Sequence, residues 1–238
     1  MMHSRSSGNP RAREARPDPS APRGGAPRSI DIPLNRPRPL RDKLWDLYAP
    51  FYDLFTSAIP DRVRQAYVDA LRLSPADRLL IIGIGTGQDI PLLPESVLIG
   101  IDLSSAMLAR AARRLRFSPR LRGGLALMDA HDLGFPDASF DRVLLPLVVA
   151  VAAEPRVLLR EAARACRKGG LVVMFDKFRP AGSPPSLPRR TLNLFSRTLA
   201  TDITLDPAEL VRGLPLRLLS DEPAFLGRQF RILAYEKT

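Results

Sequence analysis

The stretch LLIIGIGTGQDIPLLP, Leu79 to Pro94, places three glycines at alternate positions directly after four branched apolar residues. An apolar run ending in a glycine cluster reads as a buried strand and a tight turn, where backbone must approach a partner without side chains in the way. In a parallel sheet such a turn lies beyond the carboxyl end of the strand, where ligands bind. Gly83-x-Gly85-x-Gly87 fits neither of two common phosphate cradles. A dinucleotide fingerprint needs its third glycine where Gln88 stands, and a P-loop needs glycine there followed by Lys and Ser or Thr.

Strand signals recur around this turn. Apolar runs predict strands at 79–83, 97–102, 125–128, 140–146 and 171–176, with helices at 87–93, 104–117 and 154–167 between them. That alternation predicts a parallel sheet covered on both faces. Two further strands, 215–220 and 229–236, are joined too closely for a parallel crossover, so they pair antiparallel. Upstream, Leu44, Leu47, Tyr48, Phe51 and Tyr52 share one face of a helical pattern, and a second helix begins near Pro60. Downstream, SLPRRTLNLFSRTLATD puts Leu192, Phe195 and Leu199 on one helical face and Arg190, Asn193 and Arg197 on the other. This basic amphipathic helix reads either as a lid or dimer element or as a contact with anionic membrane.

Composition bounds the function. The chain has 238 residues, 45% of them hydrophobic, and a formal net charge of +11 that favours anionic partners. Residues 1–40 hold eight prolines, and eight arginines against three acidic residues, which predicts a disordered basic tail. A single cysteine, Cys166, excludes an intrachain disulfide; we expect it packed on the helix before the fifth strand. Two histidines argue against a His-rich metal site, and no apolar run reaches the roughly 18 residues of a membrane span. The expectation is a cytoplasmic protein, with peripheral contact with an anionic membrane left open. Three segments follow: the 1–40 tail, an N-terminal helical lid over 41–77, and a ligand-binding domain over 78–238 with a helical insertion at 187–212.

Two carboxylates mark the ligand. Asp102 ends the second strand, 19 residues after Gly83, where it can accept from two ribose hydroxyls; Ser104 is then free to cap the following helix. Asp129 ends the third strand, where it can accept from an adenine amine while the Ala130 N–H meets a ring nitrogen. His131 reads as a surface or packing histidine rather than a base.

The motifs IIGIGTG, GIDLSSAML, MDAHDLGFPDASFD and CRKGGLVVMFDKF, in this order and spacing, resemble the class I S-adenosylmethionine-dependent methyltransferases over about Leu79 to Phe178. The nearest likeness is to the type-11 group, which contains quinone C-methyltransferases and bacterial phosphatidylethanolamine N-methyltransferases. The resemblance implies an α/β, Rossmann-like fold: a seven-stranded, mostly parallel sheet with an antiparallel last strand and helices on both faces. It also implies S-adenosylmethionine as cofactor. Gly83, Gly85 and Gly87 would lie against its methionine part, Asp102 would bind the ribose, Leu103 and Met107 would pack on adenine, and Asp129 and Ala130 would read its edge. Met107 reads equally as a core residue.

The family's acidic residue two positions before the first glycine is replaced here by Ile81; either Asp89 or another residue substitutes for it in binding the cofactor, or affinity is lower, or the site is degenerate. Leu145-Pro146-Leu147 departs from the signature of exocyclic-amine nucleic-acid methyltransferases, which argues against nucleic acid as acceptor. The acceptor is then a small molecule or lipid, a phospholipid amine or quinone-type ring, with Tyr48, Tyr52, Leu147, Val148 and Lys177 as candidate acceptor-site residues and no metal. Two alternatives stay open: a non-catalytic nucleoside-binding protein, and an RNA-associated methyltransferase using its basic tail.

Overall fold

The apolar run ahead of the glycine turn lies in β1 (Arg78–Ile82), a central strand of a seven-stranded sheet. The computed structural model describes residues 58–178, 205–226 and 229–238. The chain divides into units Met1–Ile30 and Asp31–Thr238, and every described residue belongs to the second. The tail, the helical pattern around Tyr48 and Tyr52, and the basic amphipathic helix at 186–202 lie outside the described residues.

In chain order the elements are α1 (Asp61–Ala70), β1, β2 (Ser96–Asp102), α2 (Ser105–Arg116), β3 (Leu121–Leu127), β4 (Phe140–Pro146), α3 (Pro155–Ala165), β5 (Cys166–Lys177), α4 (Pro207–Leu210), β6 (Leu216–Phe225) and β7 (Phe230–Lys237). The spatial order of strands is β3-β2-β1-β4-β5-β7-β6. The first five run parallel, and β7 enters antiparallel between β5 and β6. The sheet therefore reverses direction beside β5, and β6 and β7 pair antiparallel, as their short connection predicts.

Alternation along β1 shows why both faces are covered. Leu80 and Ile82 pack with Leu158, Leu159 and Ala162 of α3, while Leu79 and Ile81 pack with Val63, Tyr67 and Val68 of α1. All four strand residues are fully buried, and each such side chain contributes about 1.5–3 kcal/mol of burial. Ile81 fills this apolar cluster, where an unpaired carboxylate would be costly.

Three local expectations are corrected. The stretch 87–93 is not an α-helix but a 3-10 turn, Ile90–Leu92, with Pro91 in its first turn. Cys166 is the first residue of β5, fully buried, rather than part of the preceding helix. The third strand begins at Leu121, four residues before the predicted start.

Candidate active site

The carboxyl ends of β1, β2, β3 and β4 surround a cavity of about 270 Å³. Gly83 and Gly85 enter from the turn after β1, Asp102 and Leu103 from the end of β2, and Met107 from α2. Met128, Asp129, Ala130 and His131 come from the loop after β3, and Pro146, Leu147 and Val148 from the end of β4. Val151, Ala152, Ala153 and Leu158 complete an apolar wall.

The glycine turn is held by side chains from three directions. Gly83, Gly85 and Gly87 all have positive φ, at 71°, 56° and 77°. Asp102 Oδ2 accepts from the Gly85 N–H at 2.8 Å, and Asp102 Oδ1 accepts from the Ser104 N–H at 2.9 Å. Thus Asp102 links the turn to the start of α2 while remaining on the cavity wall. Ser104 caps α2 by accepting from the Met107 N–H at 3.1 Å, and Met107 is both buried and cavity-lining. Arg114, from the last turn of α2, donates to the Thr86 carbonyl. From the opposite face, Arg64 of α1 donates to Gln88 and to Asp89, the latter at 2.8 Å.

Asp89 is therefore placed differently from the expectation. It is buried away from the cavity lining, between Arg64 and the Tyr67 hydroxyl, which donates to it. Burial first, and the neighbouring Asp89 charge second, push the Tyr67 pKa well above its ordinary value, so this hydroxyl stays a donor. Asp89 serves as the anchor of the glycine turn to α1. Gly87 shapes the turn but is not on the cavity wall.

The loop after β3 is fixed to α3. Glu161 accepts from the Leu133 N–H at 3.0 Å, and Arg164 donates to the carbonyls of Leu133 and Phe135 at 2.9 and 2.8 Å. Its hydrogen bond to Arg164 holds the Glu161 carboxyl below the usual range, so the charged pair persists. On this loop Asp129 and Ala130 both face the cavity. His131 lines it too, and its imidazole meets Asp129 at 2.7 Å and the Glu154 N–H at 3.2 Å. The sequence reads His131 as a surface or packing histidine; the fold brings it to Asp129, two residues before it, and to Glu154, 23 residues on.

At the tip of β4, Leu147 adopts a left-handed φ of 58°, and its N–H donates to the Phe175 carbonyl at 2.7 Å. The bend carries Val148 against the glycine turn: a Cβ on Gly83 would lie 2.7 Å from Val148 Cγ2. Leu147 and Val148 both line the cavity; Lys177 does not. Lys177 Nζ sits 5.5 Å from the centroid of the Phe230 ring, and burial lowers its pKa against the raising effect of Asp176. Asp176, buried at the end of β5, accepts from the N–H groups of Ala150 and Lys177. Burial pushes its pKa up to about 6 despite these bonds. Tyr48 and Tyr52 lie outside the described residues. Among the described residues no group of three or more His, Cys, Asp or Glu is arranged to hold a metal ion.

The wall chemistry suits an adenosine-bearing ligand. Glycine backbone, carboxylates at two adjacent strand tips and the apolar side chains of Leu103 and Met107 meet in one space. The Asp129 Oδ2 atom makes no hydrogen bond among the described residues, which leaves an acceptor at the rim.

Comparison with known proteins places the chain in a family. A methyltransferase domain profile matches residues 80–174. A phosphatidylethanolamine N-methyltransferase of Cereibacter sphaeroides is 33% identical over 199 residues, spanning 82% of this chain and 95% of that protein. A demethylmenaquinone methyltransferase of Symbiobacterium thermophilum is 31% identical over 151 residues, 60% of this chain and 59% of that protein. Among solved structures, the cyclase SpnF superposes with a TM-score of 0.67 at 18% identity, over 84% of this chain and 98% of that one. The last likeness establishes the fold alone. With sequence kinship across nearly the whole length of the first relative, the glycine turn and strand order find their common explanation: the chain belongs to the class I S-adenosylmethionine-dependent methyltransferases, in the group that includes the quinone methyltransferases.

Proposed function

We propose that this cavity binds S-adenosylmethionine and that the enzyme transfers its methyl group to an amphiphilic acceptor, with a phospholipid amine as the leading candidate. The observation that carries the acceptor class is the apolar wall Pro146–Val148, Val151–Ala153 and Leu158 on the β4 side of the cavity. The cavity's ionisable residues, Asp102, Asp129 and His131, sit on its β2 and β3 side, where the nucleoside would lie. The near-full-length relation to a phosphatidylethanolamine N-methyltransferase favours the amine; the shorter match to a demethylmenaquinone methyltransferase makes a quinone-type ring the second reading.

When bound, S-adenosylmethionine supplies a methyl on a sulfonium, a leaving group that departs without a proton. The chain's contribution is then chiefly alignment, an effect that supplies roughly 7–11 kcal/mol in favourable cases. In this reading Gly83 and Gly85 support the amino-acid part, Asp102 orients the ribose while bracing the Gly85 N–H, and Asp129 with the Ala130 N–H reads the adenine edge. Leu147 and Val148 form the apolar floor against which the acceptor lies, and they exclude water from it.

The test is methyl transfer from labelled S-adenosylmethionine to phosphatidylethanolamine vesicles and, separately, to demethylmenaquinone. Label in the phospholipid headgroup is the expected result. Label only in the quinone would replace the first reading by the second. Calorimetric binding of S-adenosylhomocysteine with no label in either acceptor would overturn both.

A further inference from the structure

His131 belongs to no step described so far, yet it lines the cavity and links the loop after β3 to the start of α3. The Glu154 N–H, at the start of α3, donates to His131 Nε2 at 3.2 Å. An accepting Nε2 carries no proton, so in the neutral ring the proton is on Nδ1. That proton faces Asp129 Oδ1 at 2.7 Å. The same Oδ1 also accepts from the His131 backbone N–H at 2.8 Å. Two bonds thus converge on one carboxylate oxygen, and Oδ2 makes none among the described residues.

From this geometry we infer that His131 is a positioning residue for purine recognition: fixed in its Nδ1–H tautomer by Glu154, it saturates Asp129 Oδ1 and presents Oδ2 to the exocyclic amine of adenine. The inference rests on the proposed reading of Asp129. The imidazole does not touch the reacting methyl; it acts through the carboxylate. Nor is it the sole anchor of the loop, because Glu161 and Arg164 hold residues 133 and 135 independently. Its removal therefore loosens one carboxylate more than the whole loop.

A hypoxanthine base separates this role from a structural one. S-inosylhomocysteine carries a carbonyl where S-adenosylhomocysteine carries the amine, so a fixed carboxylate discriminates between them, whereas general loosening of the loop weakens both alike. We expect the wild-type ratio of the two dissociation constants to fall about tenfold in His131→Ala, the size of one charge-assisted hydrogen bond. His131→Asn keeps an amide N–H near the Nδ1 position and restores most of the ratio. His131→Gln places its amide near Glu154 instead and does not. In a nitrogen-15 spectrum of the wild type, the imidazole signal lost in His131→Asn should show a protonated Nδ1 and a bare Nε2.

Asp129→Asn separates the two claims. It replaces the acceptor by a donor suited to the hypoxanthine carbonyl, so the base preference should reverse. Retention of adenine preference in Asp129→Asn would overturn the reading of Asp129, and this inference with it. Loss in Asp129→Asn together with an unchanged ratio in His131→Ala would overturn the inference alone. Rescue by His131→Gln but not His131→Asn would also overturn it, since the histidine would then be a loop anchor. A bare Nδ1 in the nitrogen spectrum would do the same.

Discussion

A leucine with φ at 58° is held against an intrinsic cost of about 1–2 kcal/mol, and Leu147 has this conformation where β4 delivers Val148 to the glycine turn. Gly83 is the complement of that bend. An alanine there meets Val148 Cγ2 at 2.7 Å and Cβ at 2.8 Å, and also inherits a φ of 71°. Gly83→Ala should lower the melting temperature and weaken S-adenosylhomocysteine binding at least tenfold by calorimetry. Adding Val148→Ala removes the Cγ2 contact but keeps the Cβ contact, so recovery is partial; adding Val148→Gly leaves only the backbone penalty. Equal rescue by both would show that sterics at Cβ do not matter. Asp176 supplies a second residue-scale prediction. Its folded pKa of about 6 exceeds the unfolded value of roughly 3.9. Between those pH values the folded chain binds more protons than the unfolded chain, so this group makes stability fall as pH rises through the window. The maximum effect is about 3 kcal/mol. The stability of wild type relative to Asp176→Asn should therefore drop by about 2 kcal/mol from pH 4.5 to pH 7 in urea titrations. A difference constant with pH would refute the assignment.

At the scale of elements, the buried contact of Arg64 with Asp89, Tyr67 and Gln88 joins α1 to the glycine turn. Arg64→Met leaves a buried carboxylate facing one hydroxyl and should cost about 3–5 kcal/mol in chemical denaturation. Combining it with Asp89→Asn should recover most of that loss, because the stranded charge is gone. If the double variant is no more stable than the single, the pair is not what binds the two elements. This contact also shows where sequence reading stops. The glycine turn, the carboxylate-tipped strands and the antiparallel final pair were legible, because each follows from local periodicity or connection length. The partner of Asp89 was not: a residue 25 positions away on another element leaves no mark in either local pattern. The start of β3 was hidden by Gly123 and Gly124, which depress strand propensity. In the fold Gly123 is required, since a Cβ would lie 1.9 Å from the Leu98 carbonyl oxygen of β2. The helix expected at 87–93 failed because its apolar spacing outweighed Pro91, which instead opens a 3-10 turn.

For the whole molecule, Cys166 is a built-in reporter of opening. It is the chain's one cysteine, fully buried at the start of β5, and burial pushes its pKa up to about 11. A thiol reagent should react only through unfolded or largely open chains. S-adenosylhomocysteine at a hundred times its dissociation constant should then slow the reaction about a hundredfold under fast reclosing, equivalent to about 2.7 kcal/mol. A rate unaffected by saturating ligand would mean that Cys166 is reached by local fraying rather than by opening of the sheet. The strand order carries a consequence for synthesis as well. β7 sits between β5 and β6 but follows both in the chain. When β6 leaves the ribosome, its native neighbour β7 has not yet emerged. Its native pairing waits for β7, which joins it to β5. Until then the β5 edge is open, and a pause in translation between the last two strands would leave that edge available to neighbouring nascent chains.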